Sequence, residues 1–369
     1  MRSTYALINL SNLKFNFLQI KKKVKTAKVM AVVKADAYGQ GMLECVKALQ
    51  SLNNKRPDYY AVALLEEAIE LRKSKLVDQP ILTFSPYIKN ELEFYKKYKV
   101  IPTITDFDSV IELSKLKLTF NLKVQVNIDT GMGRLGLNYE EAVSGIIQLS
   151  KNKNIIIDGI YTHFATSDER DKSFALLQLK RFNDIVNKLR DNKISVGLLH
   201  TANSGAILDM PESYFDMVRP GISLYGYYPS LETSESIKLK PVMSLLSKVE
   251  NMRTIKKNDS VSYGRRFIAK EPTNIFTVPA GYADGIPRSL TNKIYCLTKN
   301  GKFKQIGTIT MDRIMFNCGD KILKSGTEII LLGKNKNQEI DAWDWGKITN
   351  TIPYEITCAI SKRVPRKYK

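Results

Sequence analysis

The chain has 369 residues, 43% of them apolar and 25% charged. That balance supports a packed core and excludes collagen-like, disordered and small disulfide-scaffold proteins. Lysine and arginine outnumber aspartate and glutamate by 57 to 37, a net charge of +20, yet the lysines are scattered and no nucleic-acid-binding motif accompanies them, so the charge reads as a solvated surface without a nucleic-acid partner.

Taken in chain order, Leu13, Phe17, Ile20 and Val24 form one apolar stripe of a helix. Short β-branched runs then alternate with helical patterns. Strands are expected at Val29 to Val33, Tyr59 to Ala63, Pro80 to Phe84, Ile101 to Ile104, Lys123 to Ile128, Ile155 to His163, Val196 to Leu199 and Met217 to Val218, with helices such as Glu66 to Lys73, Lys89 to Lys97 and Ser173 to Asp191 between them. Eight strands separated by helices is the count of a (β/α)8 barrel of the TIM type; a doubly wound sheet is the competitor. Beyond a polar, linker-like segment from Ser230 to Lys240 the texture changes to short strands divided by turn residues: Met243 to Val249, Asn274 to Val278, Ile294 to Leu297, Lys304 to Ile309, Ile314 to Cys318 and Glu328 to Leu332. The expected organisation is an α/β barrel over residues 1–235 and a mainly β domain over residues 236–369.

Cys45, Cys296, Cys318 and Cys358 lie far apart with no C-x-x-C pair, and the chain has two histidines. Neither a disulfide framework nor a metal site is expected. The N-terminal apolar stretch is broken at Asn9 and Asn12, and no apolar run approaches the ~20 residues of a membrane helix. A cytoplasmic protein with no membrane partner is expected.

Gly131-Met132-Gly133-Arg134-Leu135-Gly136 fits the dinucleotide fingerprint G-x-G-x-x-G, with Asp158 further on. Its place at the fifth strand, and an arginine within it, point instead to bidentate capture of a carboxylate or phosphate. Lys34 directly continues the first apolar strand, where burial of an ammonium is costly unless it is paired or its pKa falls, the setting of a Schiff-base lysine. Arg134 follows the fifth strand, His163 ends the sixth, His200, Asn203 and Ser204 follow the seventh, and Arg219 follows the eighth. In a barrel these strand ends converge on the catalytic mouth, and the loops after strands seven and eight, here carrying Ser204 and Pro220-Gly221-Ile222, are the usual phosphate site. A lysine nucleophile opposite a phosphate site suggests pyridoxal phosphate.

These residues carry a family resemblance. The segment from Ala31 to Gly41, with Lys34 and Tyr38, resembles the cofactor-lysine signature of alanine racemases. The likeness continues through residues 129–136, Thr162-His163-Phe164-Ala165, His200-Thr201-Ala202-Asn203-Ser204, residues 218–226, Val261-Ser262-Tyr263-Gly264, Gly281-Tyr282-Ala283-Asp284-Gly285, Met311-Asp312 and Tyr354-Glu355. It implies a pyridoxal-5'-phosphate-dependent enzyme that interconverts L-alanine and D-alanine, supplies D-alanine for peptidoglycan, and works as a homodimer with shared sites. A racemase for serine or several amino acids is one alternative. A non-catalytic pyridoxal-phosphate carrier is another, against which the second domain argues.

The resemblance also implies roles. Racemisation needs an acid–base group on each face of Cα; Lys34 would serve one face and Tyr263, from the partner subunit, the other. A tyrosine, with an ordinary pKa of ~10, needs a cationic neighbourhood for this, and His163 and Arg219 would supply it. Tyr38, Ser204, the Gly221 and Ile222 amides and Tyr354 would hold the phosphate. Arg219 would face the ring nitrogen, a place where a guanidinium cannot accept a proton. Arg134 and the partner's Met311 amide would hold the substrate carboxylate, with Tyr282 and Tyr354 narrowing the entrance. Asn127 stands where many relatives have a carbamylated lysine bracing that arginine; a bridging anion such as chloride is the expected substitute.

Overall fold

The computed structural model describes residues 3–299, 301–336 and 338–369. They fall into two compact units, one of Leu13–Ala37 with Met42–Lys240, the other of the chain up to Asn12, Tyr38–Gly41 and Pro241–Lys369.

Eight parallel strands wall the first unit: Lys28–Val32, Tyr59–Val62, Ile81–Pro86, Val100–Ile104, Leu122–Asp129, Ile155–Tyr161, Leu198–His200 and Met217–Val218. The eighth pairs back onto the first. No ladder joins the seventh to the eighth among the described residues. Two backbone bonds, Asp216 N–H to Leu199 O at 3.0 Å and Arg219 N–H to Ala202 O at 2.9 Å, close that seam. Most of the strands are largely apolar runs because both faces are covered, by helices outside and by side chains within; the fifth, Leu122–Asp129, carries polar residues at alternate positions. The expected eight strands are all present, with their ends shifted by at most two residues. The stripe Leu13, Phe17, Ile20 and Val24 is buried on a helix spanning Leu10–Val24.

Two local expectations change. Residues 89–97 are not one helix: a turn of 3-10 helix, Lys89–Glu91, precedes a helix over Leu92–Tyr98. The segment from Ser230 to Lys240 is polar but docked on the barrel. Glu232 accepts from Arg170 N–H at 2.7 Å and Ser236 Oγ donates to Leu208 O at 2.9 Å, so these polar side chains are spent on backbone groups.

The second unit is built on one sheet in the order Asn251–Ile255, Thr273–Val278, Ile314–Gly319, Gly301–Ile306, Tyr295–Thr298, Glu328–Lys334, Met243–Lys248, Tyr5–Ile8 and Arg366–Tyr368. Its core includes Ile255, Val261, Ala269, Ile275 and Ile306, and Phe276 stacks on Phe316 at 5.3 Å. The strand Tyr5–Ile8 lies between Met243–Lys248, antiparallel, and Arg366–Tyr368, parallel. Among the described residues no helix is long and apolar enough to cross a membrane.

Candidate active site

Lys34 leaves the first barrel strand into a turn that runs the wrong way. Ala35, Asp36, Ala37 and Tyr38 have φ of 52, 52, 54 and 57°, followed by 83° at Gly39, which is a turn of left-handed helix. Each L-residue in that conformation costs ~1–2 kcal/mol, so the turn persists only where its surroundings hold it. Glu67 does much of this: one carboxylate oxygen accepts from Ala35 N–H at 2.6 Å, the other from Ala63 and Leu64 N–H at 2.8 and 3.1 Å. Asp36 accepts from Met42 N–H at 2.7 Å. The Lys34 ammonium lies 5.9 Å from the centre of the Phe84 ring.

Across the barrel mouth, Arg219 is 3% exposed and its guanidinium meets only neutral acceptors. It donates to the carbonyls of Thr162 (2.7 Å), His200 (2.9 Å) and Thr201 (3.1 Å) and to His200 Nδ1 (2.9 Å), with His163 Nδ1 at 3.4 Å. Among the described residues no carboxylate lies within 4.0 Å of it. Burial lowers its pKa to about 10, so it stays charged at neutral pH. Burial also holds both histidines well below the ordinary value; for His163 the charges of Arg219, Arg134 and Lys34 add to the effect, and for His200 that of Arg219. The cationic character expected of the Arg219–His163 pair therefore belongs to Arg219; His163 is neutral.

A polar chain descends from Arg219 into the barrel. His200 Nε2 meets Gln125 Oε1 at 2.9 Å, Gln125 Nε2 donates to Asp158 at 3.2 Å, and Asp158 pairs with Lys123 at 3.0 Å. Tyr161 stacks on His200 with ring centres 4.9 Å apart. Gln125 was not singled out from the sequence. Its signal was the alternation Lys123, Gln125, Asn127, Asp129 in an otherwise apolar strand.

Ser204 caps the loops after strands seven and eight: its Oγ accepts from Gly221 N–H at 3.0 Å and Ser223 N–H at 3.4 Å and contacts Ser223 Oγ at 3.0 Å. Ser204, Gly221 and Ile222 thus form one buried polar corner. The glycine loop at 131–136 is not a phosphate cradle, because Asp129 already accepts from Gly131 N–H at 2.9 Å and Gly133 N–H at 3.0 Å; a carboxylate there repels phosphate. Arg134 is exposed. Asn127 Nδ2 donates to Leu135 O at 2.9 Å, while its Oδ1 is buried without a hydrogen-bond partner. The side chain leaves its buried oxygen and one amide N–H on offer, and the oxygen suits a guanidinium or water donor.

The second unit gathers the remaining candidates. Tyr38 and Tyr354 rings lie 5.9 Å apart, and burial pushes the Tyr38 hydroxyl pKa upward. Tyr263, Tyr282 and Met311 line one cavity of about 720 Å³ and are 73%, 42% and 51% exposed. The Tyr263 backbone is pinned while its ring projects: Ser262 Oγ donates to Thr308 O at 2.7 Å and Thr308 Oγ1 to Tyr263 O at 2.6 Å. Tyr282 and Ala283 N–H donate to Thr310 and Met311 carbonyls at 3.0 and 3.1 Å, and a Cβ on Gly281 would meet Thr310 O at 2.2 Å, so only glycine lets the two loops close. Buried Asp284 meets Arg363 Nε at 2.9 Å, and Arg363 reaches Asp312 at 2.6 Å. Arg363 carries no local motif and was not anticipated.

Fold and site together define a two-part enzyme, a parallel α/β barrel with a lysine and a buried arginine at its mouth and a β unit bearing an exposed tyrosine. Residues 8–229 match the family model "Alanine racemase, N-terminal domain" and residues 242–368 the model "Alanine racemase, C-terminal domain". The chain is 41% identical to an alanine racemase of Clostridium tetani, covering 100% of this chain and 96% of that one. It superposes on the alanine racemase of Clostridium difficile 630 with a TM-score of 0.92 at 36% identity, covering 100% and 96% of the two chains. The alanine racemase of Bartonella henselae, described with covalently bound pyridoxal phosphate, matches with a TM-score of 0.90 at 28% identity over 100% of both. The chain belongs to the alanine racemase family.

Proposed function

We propose that this chain interconverts L-alanine and D-alanine with pyridoxal 5'-phosphate, as a cytoplasmic homodimer supplying D-alanine for peptidoglycan. The observation that carries the reading is Arg219: a buried cation ringed by neutral acceptors at the mouth of the barrel that presents Lys34.

The residues fit the cofactor. The corner of Ser204, Gly221, Ile222 and Ser223 concentrates hydroxyls and backbone N–H groups where barrels bind phosphate, and Tyr38 and Tyr354 would add phenol donors to it. Arg219 would hold the ring nitrogen as a donor; a guanidinium keeps its own proton and takes none, so the ring's electron demand stays moderate and side reactions are limited. When bound, the cofactor supplies the electron-withdrawing system that acidifies the α-proton.

Lys34 takes and returns the proton on one face of Cα, and the Tyr263 hydroxyl of a second copy does so on the other. Arg134 and the Met311 amide of the second copy orient the substrate carboxylate, while neutral His163 relays hydrogen bonding from Arg219. The large exposure of Tyr263, Met311 and Tyr282 supports a site completed by a second copy. The test is exchange of the α-proton into deuterated water for alanine, serine and other amino acids, with holoenzyme and Lys34→Ala. Exchange from alanine by the wild type alone supports the reading; none from alanine refutes it. Tyr263→Phe should impair abstraction from L-alanine far more than from D-alanine, and equal loss would overturn the two-base assignment.

A further inference from the structure

One cavity of the barrel unit lies away from the mouth. About 1040 Å³ in volume, it opens at the other end, where Pro80, Val100, Leu122 and Ile156 mark the starts of strands three to six. Six cations line it, Arg72, Lys75, Lys96, Lys97, Lys99 and Lys123, against a single acid, Asp78. Lys123 is paired with Asp158 at 3.0 Å. Arg72 is spent on backbone, donating to Val77, Tyr98 and Lys99 carbonyls at 2.9, 3.0 and 3.2 Å. Among the described residues none of Lys75, Lys96, Lys97 and Lys99 has a carboxylate within 4.0 Å.

Two of these lysines sit where lysine is a poor choice. Lys75 and Lys99 adopt φ of 58° and 49°, just past the helices Leu65–Lys73 and Leu92–Tyr98, positions that glycine or asparagine fill without strain. Lysine at both directs charge to one rim. The floor is ring and hydrocarbon: Phe120, with the Lys96 ammonium 4.8 Å from its ring centre, and exposed Ile156. Uncompensated like charges over an aromatic floor match a ligand with several negative charges attached to a flat ring.

We propose that this cavity binds a nucleoside polyphosphate, its phosphates on Lys75, Lys96, Lys97 and Lys99 and its base against Phe120 and Ile156. The same lysines also complement the negative ends of two helices, and the experiment separates the two roles. Calorimetric titration of the holoenzyme, whose own phosphate corner is occupied by cofactor, uses ATP, inorganic tripolyphosphate and adenosine at low salt. ATP should bind, tripolyphosphate should compete, and added salt should weaken both. The double variant Lys96→Gln/Lys99→Gln should weaken ATP about tenfold or more with racemisation unchanged, and Phe120→Ala should weaken ATP but spare tripolyphosphate. No binding of ATP at millimolar concentration overturns the proposal. So does ATP binding that the double variant leaves intact, or a double variant that lowers only the melting temperature.

Discussion

Arg219 Nη1 lies 2.9 Å from His200 Nδ1, and this contact fixes where the histidine keeps its proton. A guanidinium can only donate, so Nδ1 accepts and the proton resides on Nε2. Nε2–H then donates to Gln125 Oε1, and the Gln125 amide must present its NH2 to Asp158. One buried cation thereby orients three side chains in sequence. It does so without a carboxylate of its own, which leaves its charge available to the barrel mouth.

The chain has two histidines, His200 buried and His163 half-buried, both held neutral, so loss of stability between pH 7 and 5 belongs mainly to them. Their folded pKa values lie below the unfolded ~6.5. Above that pH both states are neutral and stability is full; as pH falls through ~6.5 the unfolded chain takes up protons that the folded chain refuses. Stability should fall by up to ~1.4 kcal/mol per pH unit for each histidine until the folded pKa is reached. Urea midpoints across this range check it, and a flat profile contradicts it.

Ala35 is exposed with φ of 52°, so Ala35→Gly removes strain at little loss of contact. A gain of about 1 kcal/mol in stability is expected, while a freer Lys34 should lower turnover. A variant that unfolds at lower denaturant than the wild type would show that the left-handed turn is not strained in this chain.

Arg363 ties Asp284, below the Tyr282 turn, to Asp312, beside Met311. Arg363→Gln should loosen both loops, raising KM for alanine several-fold with a smaller change in kcat, and Arg363→Lys should recover part of the difference. Equal effects on KM and kcat in both variants would indicate a general loss of structure instead.

The buried Asn127 Oδ1 suits a guanidinium or water donor; with that donor in place of an anion, racemisation should be indifferent to replacing chloride by acetate at constant ionic strength. Activation by chloride would favour the bridging anion instead. Asn127→Leu removes both the unpaired oxygen and the bond to Leu135 O; the two changes oppose each other, and stability should move by less than about 1 kcal/mol.

Much of the barrel was legible because its strands are short apolar runs with helices at a regular interval, and because Lys34, Ser204 and Arg219 sit at strand ends where a polar residue breaks the pattern. The strand Tyr5–Ile8 was not, since its neighbours lie more than 200 residues away and four residues carry little periodicity. The left-handed turn was equally hidden: Ala-Asp-Ala-Tyr favours a right-handed helix, and only Glu67 and Asp36, used as backbone acceptors, override it. The fit of 131–136 to a nucleotide fingerprint was set aside on its place at the fifth strand and the arginine within it, and the structure adds a local reason, the Asp129 carboxylate that takes its amides.

The seating of Tyr5–Ile8 between Met243–Lys248 and Arg366–Tyr368 has a consequence for how the protein is made. Tyr5–Ile8 precedes both of its partners by more than 200 residues, so it has no edge to join until Met243–Lys248 is made, and this part of the sheet closes only with Arg366–Tyr368. A fragment starting near residue 241 would carry an open slot in its sheet, exposing two strand edges that a free peptide of the first dozen residues could fill.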